Sequence, residues 1–262
     1  MSTGGITIRP IRLVGRATQE SCPPLFTTRL IRGSLLEPMI DQGDEYIPAL
    51  RFHWLTPFYD PLIRLAIRES TFKRRLLEQM RLESGHRLLD LGCGTATLTI
   101  LIRQQCPQAE VIGLDVDLRV LEIARRKVAR AGLTLPLHRG LAYDLPYPDS
   151  TFDRVVSSLM FHHLTHQDKI RTANEAFRVL RPGGELHVAD LGRPHHALMA
   201  LISLVTRRLE QAVDNVKGLL PVMFQEAGFD AVEETAQYMT PMGTLALYWA
   251  KKSRLSSVNG DS

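Results

Sequence analysis

The chain has 262 residues, 44% hydrophobic and 23% charged, an ordinary balance for a globular protein able to bury a sizeable core. Its formal net charge of +4 is modest and dispersed, which argues against a nucleic-acid-binding surface, and no run approaches the roughly 18 to 20 apolar residues that span a bilayer. Three cysteines, Cys22, Cys93 and Cys106, give no framework of paired spacings, so a reducing, cytoplasmic setting is favoured over a disulfide scaffold.

Residues 1–38 carry five arginines against two glutamates, with prolines at 10, 23, 24 and 38 and little helical periodicity. This leader reads as a disordered extension, an organelle-targeting peptide or a stretch upstream of a start at Met39. The lack of a continuous apolar core after the charges argues against a secretory signal. Residues 39–84 read as an N-terminal helical cap. Within it, Ile47 to Asp60 is rich in aromatics, with Phe52, Trp54, Phe58 and Tyr59, and residues 61–82 alternate Leu, Ile and Phe with Arg and Lys at helical spacing.

Leu88 to Ala96 reads Leu-Leu-Asp-Leu-Gly-Cys-Gly-Thr-Ala, an apolar run into a glycine turn with Asp90 two residues ahead of Gly92. A strand, a tight turn and a helix start form the usual cradle for a nucleotide-like ligand. The dinucleotide fingerprint fails, because its third glycine would fall at Thr97. Asp90 would also repel a pyrophosphate, whereas a ligand carrying an ammonium group would be attracted to it. A P-loop fails too, since no Gly-Lys-Ser/Thr follows. A second strand, Val111 to Leu114, runs into Asp115, 25 residues after Asp90. In a doubly wound sheet this strand lies beside the first, so its carboxylate can accept hydrogen bonds from both ribose hydroxyls. Asp117 is placed to cap the helix through Leu118 to Ala131.

Farther on come Gly140-Leu141-Ala142-Tyr143-Asp144-Leu145-Pro146, a strand from Phe152 to Ser158 that leads into Phe161-His162-His163-Leu164, and a Leu180-Arg181-Pro182-Gly183-Gly184 turn. With Asp90, Gly92, Gly94 and Ala96, these segments resemble, over roughly residues 85–192, the class I S-adenosylmethionine-dependent methyltransferases near the ubiquinone and menaquinone biosynthesis group. The resemblance implies an α/β fold with a Rossmann-like, doubly wound, seven-stranded sheet whose last strand is antiparallel, between the fifth and sixth. It implies S-adenosyl-L-methionine as cofactor, held by Asp90 and the turn Gly92, Cys93 and Gly94. Asp115 would take the ribose, Val116 would pack on the adenine, Leu141 and Ala142 would flank it, Ser158 would close the end of strand four, and Tyr59 would fold over the whole. Leu141 stands where the family has an adenine-contacting Asp, a loss worth about 0.5–1.5 kcal/mol.

Strands are predicted near 86–91, 109–114, 134–138, 152–157 and 185–190, followed by Asp230 to Gln237 and Thr244 to Lys251. Helices are predicted near 95–105, 117–132 and 167–180, with a long helical section over 196–226 broken at Gly218 and Pro221. The methyltransferase domain then covers 85–252 with an insertion near 193–226, and residues 253–262 form a polar tail. In this fold such an insertion commonly walls the acceptor site. Its Leu and Met content suits a hydrophobic substrate, and simple core burial explains the same residues.

Methyl transfer is an in-line displacement at a carbon already activated by the sulfonium, so alignment and exclusion of water dominate, and a base is needed only where the acceptor arrives protonated. His162 and His163 are the candidate catalytic bases; alternatively, one packs on the following helix while the other orders a loop. Quinone methyltransferases often carry Arg-Asn here, so the His pair departs from them and puts a quinone precursor in question. His162 and His166 have an i, i+4 spacing without a visible third ligand, so no metal site is assigned. His195-His196 reads as an exposed helix start, and Asp190 is expected at the pocket mouth. Ser158-Leu159-Met160-Phe161 replaces the Asn/Asp-Pro-Pro-Tyr clamp of enzymes acting on base or glutamine amino groups, so no nucleic-acid acceptor is expected. The resulting expectation is a cytoplasmic methyltransferase acting by SN2 transfer on a small, apolar or lipid-like molecule. Two rivals stand beside it. One is a phospholipid N-methyltransferase with peripheral membrane contact through the basic helix 61–82. The other is a non-catalytic partner protein that keeps the fold.

Overall fold

A computed structural model describes residues 69–209 and 211–254. The leader, the aromatic approach with Tyr59 and the tail beyond residue 254 lie outside the described residues. The cap is described only from helix α1 (Glu69–Met80). Its Phe72, Leu76, Leu77 and Met80 recur at helical spacing and are buried, which fixes the face it turns to the sheet. Gln79, on the last turn, donates its Nε2 to the Tyr248 carbonyl at 3.0 Å and lies 3.1 Å from His187 Nδ1, pinning the helix across two strands.

The order that follows is β1 (Arg87–Leu91), α2 (Thr97–Gln105), β2 (Glu110–Asp115), α3 (Leu118–Arg130), β3 (Leu137–Arg139), β4 (Phe152–Ser158), a 3-10 turn (Phe161–His163), α4 (His166–Val179) and β5 (Leu180–Leu191). Then come α5 (Ala197–Leu209), α6 (Val213–Lys217), α7 (Leu220–Glu226), β6 (Ala231–Thr240) and β7 (Gly243–Lys251). The seven strands form one sheet in the order β3-β2-β1-β4-β5-β7-β6, with β7 antiparallel to both its neighbours, as the resemblance implies. The chain order reverses between β1 and β4, so the strand ends there open the crevice in which α/β folds bind ligands.

Both sheet faces are covered, so the central strands read as continuous apolar runs. Successive residues of β1 serve opposite layers: Leu88 packs with α1 and α2, and Leu89 with the layer of α4 and α7. Phe224, fully buried on α7, meets Phe161, Phe229 and Tyr248 edge-on, with ring centroids 5.7–6.4 Å apart. Asp117 caps α3, its side chain accepting from the amides of Arg119 and Val120.

Two expectations need correction. The Arg181–Gly184 segment does not precede strand five but interrupts it: the pairing with β4 jumps from Phe152 opposite Leu180 to Arg154 opposite Glu185, and Gly183 takes φ +84° in the extra residues. The helical section 196–226 breaks first after Leu209, ahead of α6, and then at Gly218, whose φ of +73° ends α6. Pro221 opens α7 rather than breaking it, because the first turn of a helix needs no amide donor there. Among the described residues no helix is long and apolar enough to cross a membrane.

Candidate active site

The crevice is built at the carboxyl ends of β1, β2 and β4. Gly92 and Gly94 take φ +72° and +54°, conformations open to glycine at little cost, and the turn between them is held by the amides of Gly92 and Cys93 donating to the Leu114 carbonyl, 2.9 Å each. The two glycines differ in what surrounds them. A methyl group on Gly92 would stand 2.4 Å from Met160 Cγ, so this glycine admits the residue that leads into the histidine turn. A methyl group on Gly94 would meet nothing within 4 Å, and that open side is the cradle.

Asp115 ends β2 at the rim of the cradle. One carboxylate oxygen accepts from the Gly94 amide at 2.8 Å and the other from the Asp117 amide at 3.0 Å. Each oxygen retains a further lone pair, which suits the two hydroxyls of a ribose diol. Burial pushes the Asp115 carboxyl up, partly offset by those amides. Val116, the next residue along the chain, and Ser158, at the end of β4, are partly exposed. Leu141 and Ala142 lie on the loop after β3, where Leu141 bridges to Asp144. That loop is fastened to α4 by two residues the sequence reading did not single out. Glu175 accepts from the Leu145 amide at 2.7 Å, and Arg178 donates to the carbonyls of Leu145 and Tyr147 and to Asp149.

Asp90 lies beneath the turn. It is 1% exposed and accepts a 2.6 Å hydrogen bond from Thr99 Oγ1, so its charge acts on the cradle across the turn rather than through an oxygen presented to it. Burial raises its carboxyl to about 6, against the Thr99 hydrogen bond and the nearby Lys73 of α1.

On the other side of the crevice, the end of β4 and the end of β5 meet. His162 is 3% exposed, with Nδ1 2.8 Å from Asp190 Oδ1, and the His163 ring stacks on it at 4.0 Å with a 42° tilt. Asp190, expected at the pocket mouth, is fully buried instead. It accepts from the amides of Phe161 (2.8 Å) and Leu191 (2.7 Å), from His162, and from Asn215 Nδ2 (3.1 Å) on α6. Burial alone would raise the Asp190 carboxyl; the His162 imidazole, the Leu191 amide and the nearby His163 outweigh it and hold it below its ordinary value. An ionised acceptor at Oδ1 calls for the His162 proton on Nδ1. His166 turns away to Asp214 at 3.2 Å, so the spacing it shares with His162 does not bring the two imidazoles to one point. His195 Nδ1 lies 2.9 Å from Thr244 Oγ1, and His196 is exposed at the start of α5.

The Asp90 pKa stands above its unfolded value of 3.8, so the stability tied to its protonated form is complete below pH 3.8 and is lost as pH rises through about 6. The neutral Asp90→Asn variant is therefore expected to be more stable than the wild type at about pH 8, by about 1–3 kcal/mol in urea unfolding, with the gap closing toward acid pH. A gap that does not change with pH would contradict the buried charge.

A family model described as a methyltransferase domain matches residues 88–184. The demethylmenaquinone methyltransferase of Thermus thermophilus is 33% identical over 153 residues, covering 58% of this chain and 69% of that protein. That of Symbiobacterium thermophilum is 28% identical over 248 residues, covering 83% and 96%. Among solved structures, the YcgJ protein of Bacillus subtilis superposes with a TM-score of 0.58 at 17% identity, over 70% of this chain and 98% of that one. An S-adenosylmethionine-dependent methyltransferase of Methanosarcina mazei gives 0.56 at 19%, over 68% and 97%; at these identities both speak for the fold alone. With the glycine cradle, the acid ending β2 and the β7 reversal all in place, the chain belongs to the class I S-adenosylmethionine-dependent methyltransferases of the ubiquinone and menaquinone methyltransferase-like group, and its cofactor is S-adenosyl-L-methionine.

Proposed function

We propose that this enzyme methylates a small aromatic lipid of the quinol type, with His163 as the base that takes the acceptor's hydroxyl proton. The observation that carries the reading is the buried Asp190–His162 pair with His163 stacked on it, next to the glycine turn that Met160 touches. The names of the relatives, demethylmenaquinone methyltransferases, point the same way.

S-adenosylmethionine, when bound, supplies an electrophilic methyl carbon on a sulfonium. Gly92, Cys93 and Gly94 would hold it by close backbone approach, Asp115 by its free lone pairs, and Val116, Leu141, Ala142 and Ser158 by lining the crevice, while Asp90 contributes negative potential beneath the turn. Tyr59 lies outside the described residues. A hydroquinone reaches the site protonated and is a poor carbon nucleophile until it loses that proton. A ring nitrogen of His163 accepts it, the O–H electron pair stays on the oxygen and delocalises onto the neighbouring ring carbon, and once that carbon has gained a methyl group its own hydrogen would leave as a proton to solvent, restoring the aromatic ring. His162, fixed by Asp190, keeps the neighbouring ring in place. Cys93 and Cys106 are free thiols, in keeping with a reducing, cytoplasmic compartment.

A phospholipid ammonium headgroup would call for an open carboxylate at the acceptor side. Asp190, the carboxylate at this strand end, is buried under four donors, which weighs against that rival. The non-catalytic rival predicts no cofactor binding.

The test incubates the enzyme and methyl-labelled S-adenosylmethionine with a short-chain naphthoquinone, reduced and oxidised, and with phosphatidylethanolamine. Label is expected in the reduced quinone alone; label in the amine or in none would overturn the reading. His163→Ala is expected to lower kcat about 10²–10⁴-fold with cofactor affinity unchanged. Asp115→Ala is expected to weaken cofactor binding at least about tenfold by calorimetry.

A further inference from the structure

Helix α5 leaves the end of β5 directly beyond the Asp190 and His162 pair. One side of it lies on the sheet: Met199 and Ser203 are buried, and Ser203 Oγ stands 3.2 Å from where a side chain on Gly243 would begin. The other side is apolar and open. Leu198 is 57% exposed and Leu201, one turn on, 63%. Ala197 and Ala200 beside them are exposed as well. Met239, 54% exposed, extends this surface, for it pairs with Thr244, the residue that His195 contacts just before α5. Leucines at i and i+3 on one helix face form a continuous patch, and large exposed apolar patches mark interaction sites.

The charges around the patch select its partner. From Leu191 to Leu209 the sequence holds Arg193, Arg207 and Arg208 and not one acid, and Glu210 follows. Arg193 and His196, at the head of the helix, are exposed. An apolar helix face with an exposed arginine at its head and no acid along its length has the composition of a helix that lies in the plane of an anionic lipid surface.

We propose that the outer face of α5, with Leu198, Leu201 and Met239, docks on an anionic bilayer and so sets the acceptor crevice at the membrane surface. This deepens the reading of a lipid quinol acceptor and rests on it for the substrate's route. The docking itself is tested without any substrate, so the two fail separately.

The experiment is flotation of the full chain with vesicles of phosphatidylglycerol and phosphatidylcholine, against phosphatidylcholine alone. The wild type is expected to float with the anionic vesicles and to be released by high salt. Leu198→Glu/Leu201→Glu is expected to cut the bound fraction at least about tenfold with calorimetric affinity for S-adenosylmethionine and the melting temperature unchanged. Arg193→Glu is expected to weaken the preference for anionic vesicles. Wild type that stays at the bottom of the gradient, or a double variant that floats undiminished, would overturn the proposal. So would a wild-type dimer made monomeric by the double substitution, which would assign the face to a second copy of the chain.

Discussion

A carboxylate taken entirely out of water has to be matched donor for donor, and Asp190 is where this fold accepts that demand. An unpaired buried charge costs several kcal/mol. The four N–H groups that answer it come from Phe161 and His162 on the 3-10 turn, from Leu191 at the end of β5, and from Asn215 on α6. The turn after β4 and the short helix α6 are both anchored to one pair of oxygens. α6 is held a second time, through Asp214, by the buried Lys169 of α4, 3.2 Å away. The histidine turn thus inherits its position from an ion that has nowhere else to turn.

The other buried acid near the crevice is treated in the opposite way. Asp90 has one strong hydrogen bond, from Thr99, and its pKa rises to about 6 where that of Asp190 falls. One carboxylate is compensated and serves architecture; the other is left under-compensated beneath the glycine turn, where its field favours a cationic ligand. Strain of this kind concentrates at functional sites.

Much of this was legible in the chain. Asp90, Gly92, Gly94 and Asp115 announce strand, turn and second strand through local requirements, positive φ at the glycines and an acid at a strand end, and such features survive in sequence because no partner elsewhere can replace them. The place of the antiparallel last strand came only from the family resemblance that these segments carry. What stayed hidden depends on distant partners. Asp190 reads as a residue at the pocket mouth until His162, 28 positions away, and Asn215, 25 away, are brought to it. Glu175 and Arg178 look like an ordinary helical ion pair, and only the fold shows that they grip the loop from Leu145 to Asp149. The break before α6 carries no Gly or Pro.

Long-range nitrogen NMR of the imidazoles in the full chain tests the Asp190–His162 pairing most directly. The account predicts that His162 Nδ1 carries a proton across about pH 6 to 8, and that Asp190→Asn removes this preference and shifts the His163 resonances with it. A His162 ring protonated at Nε2 alone over that range, or a His163 indifferent to the loss of the Asp190 charge, would contradict it.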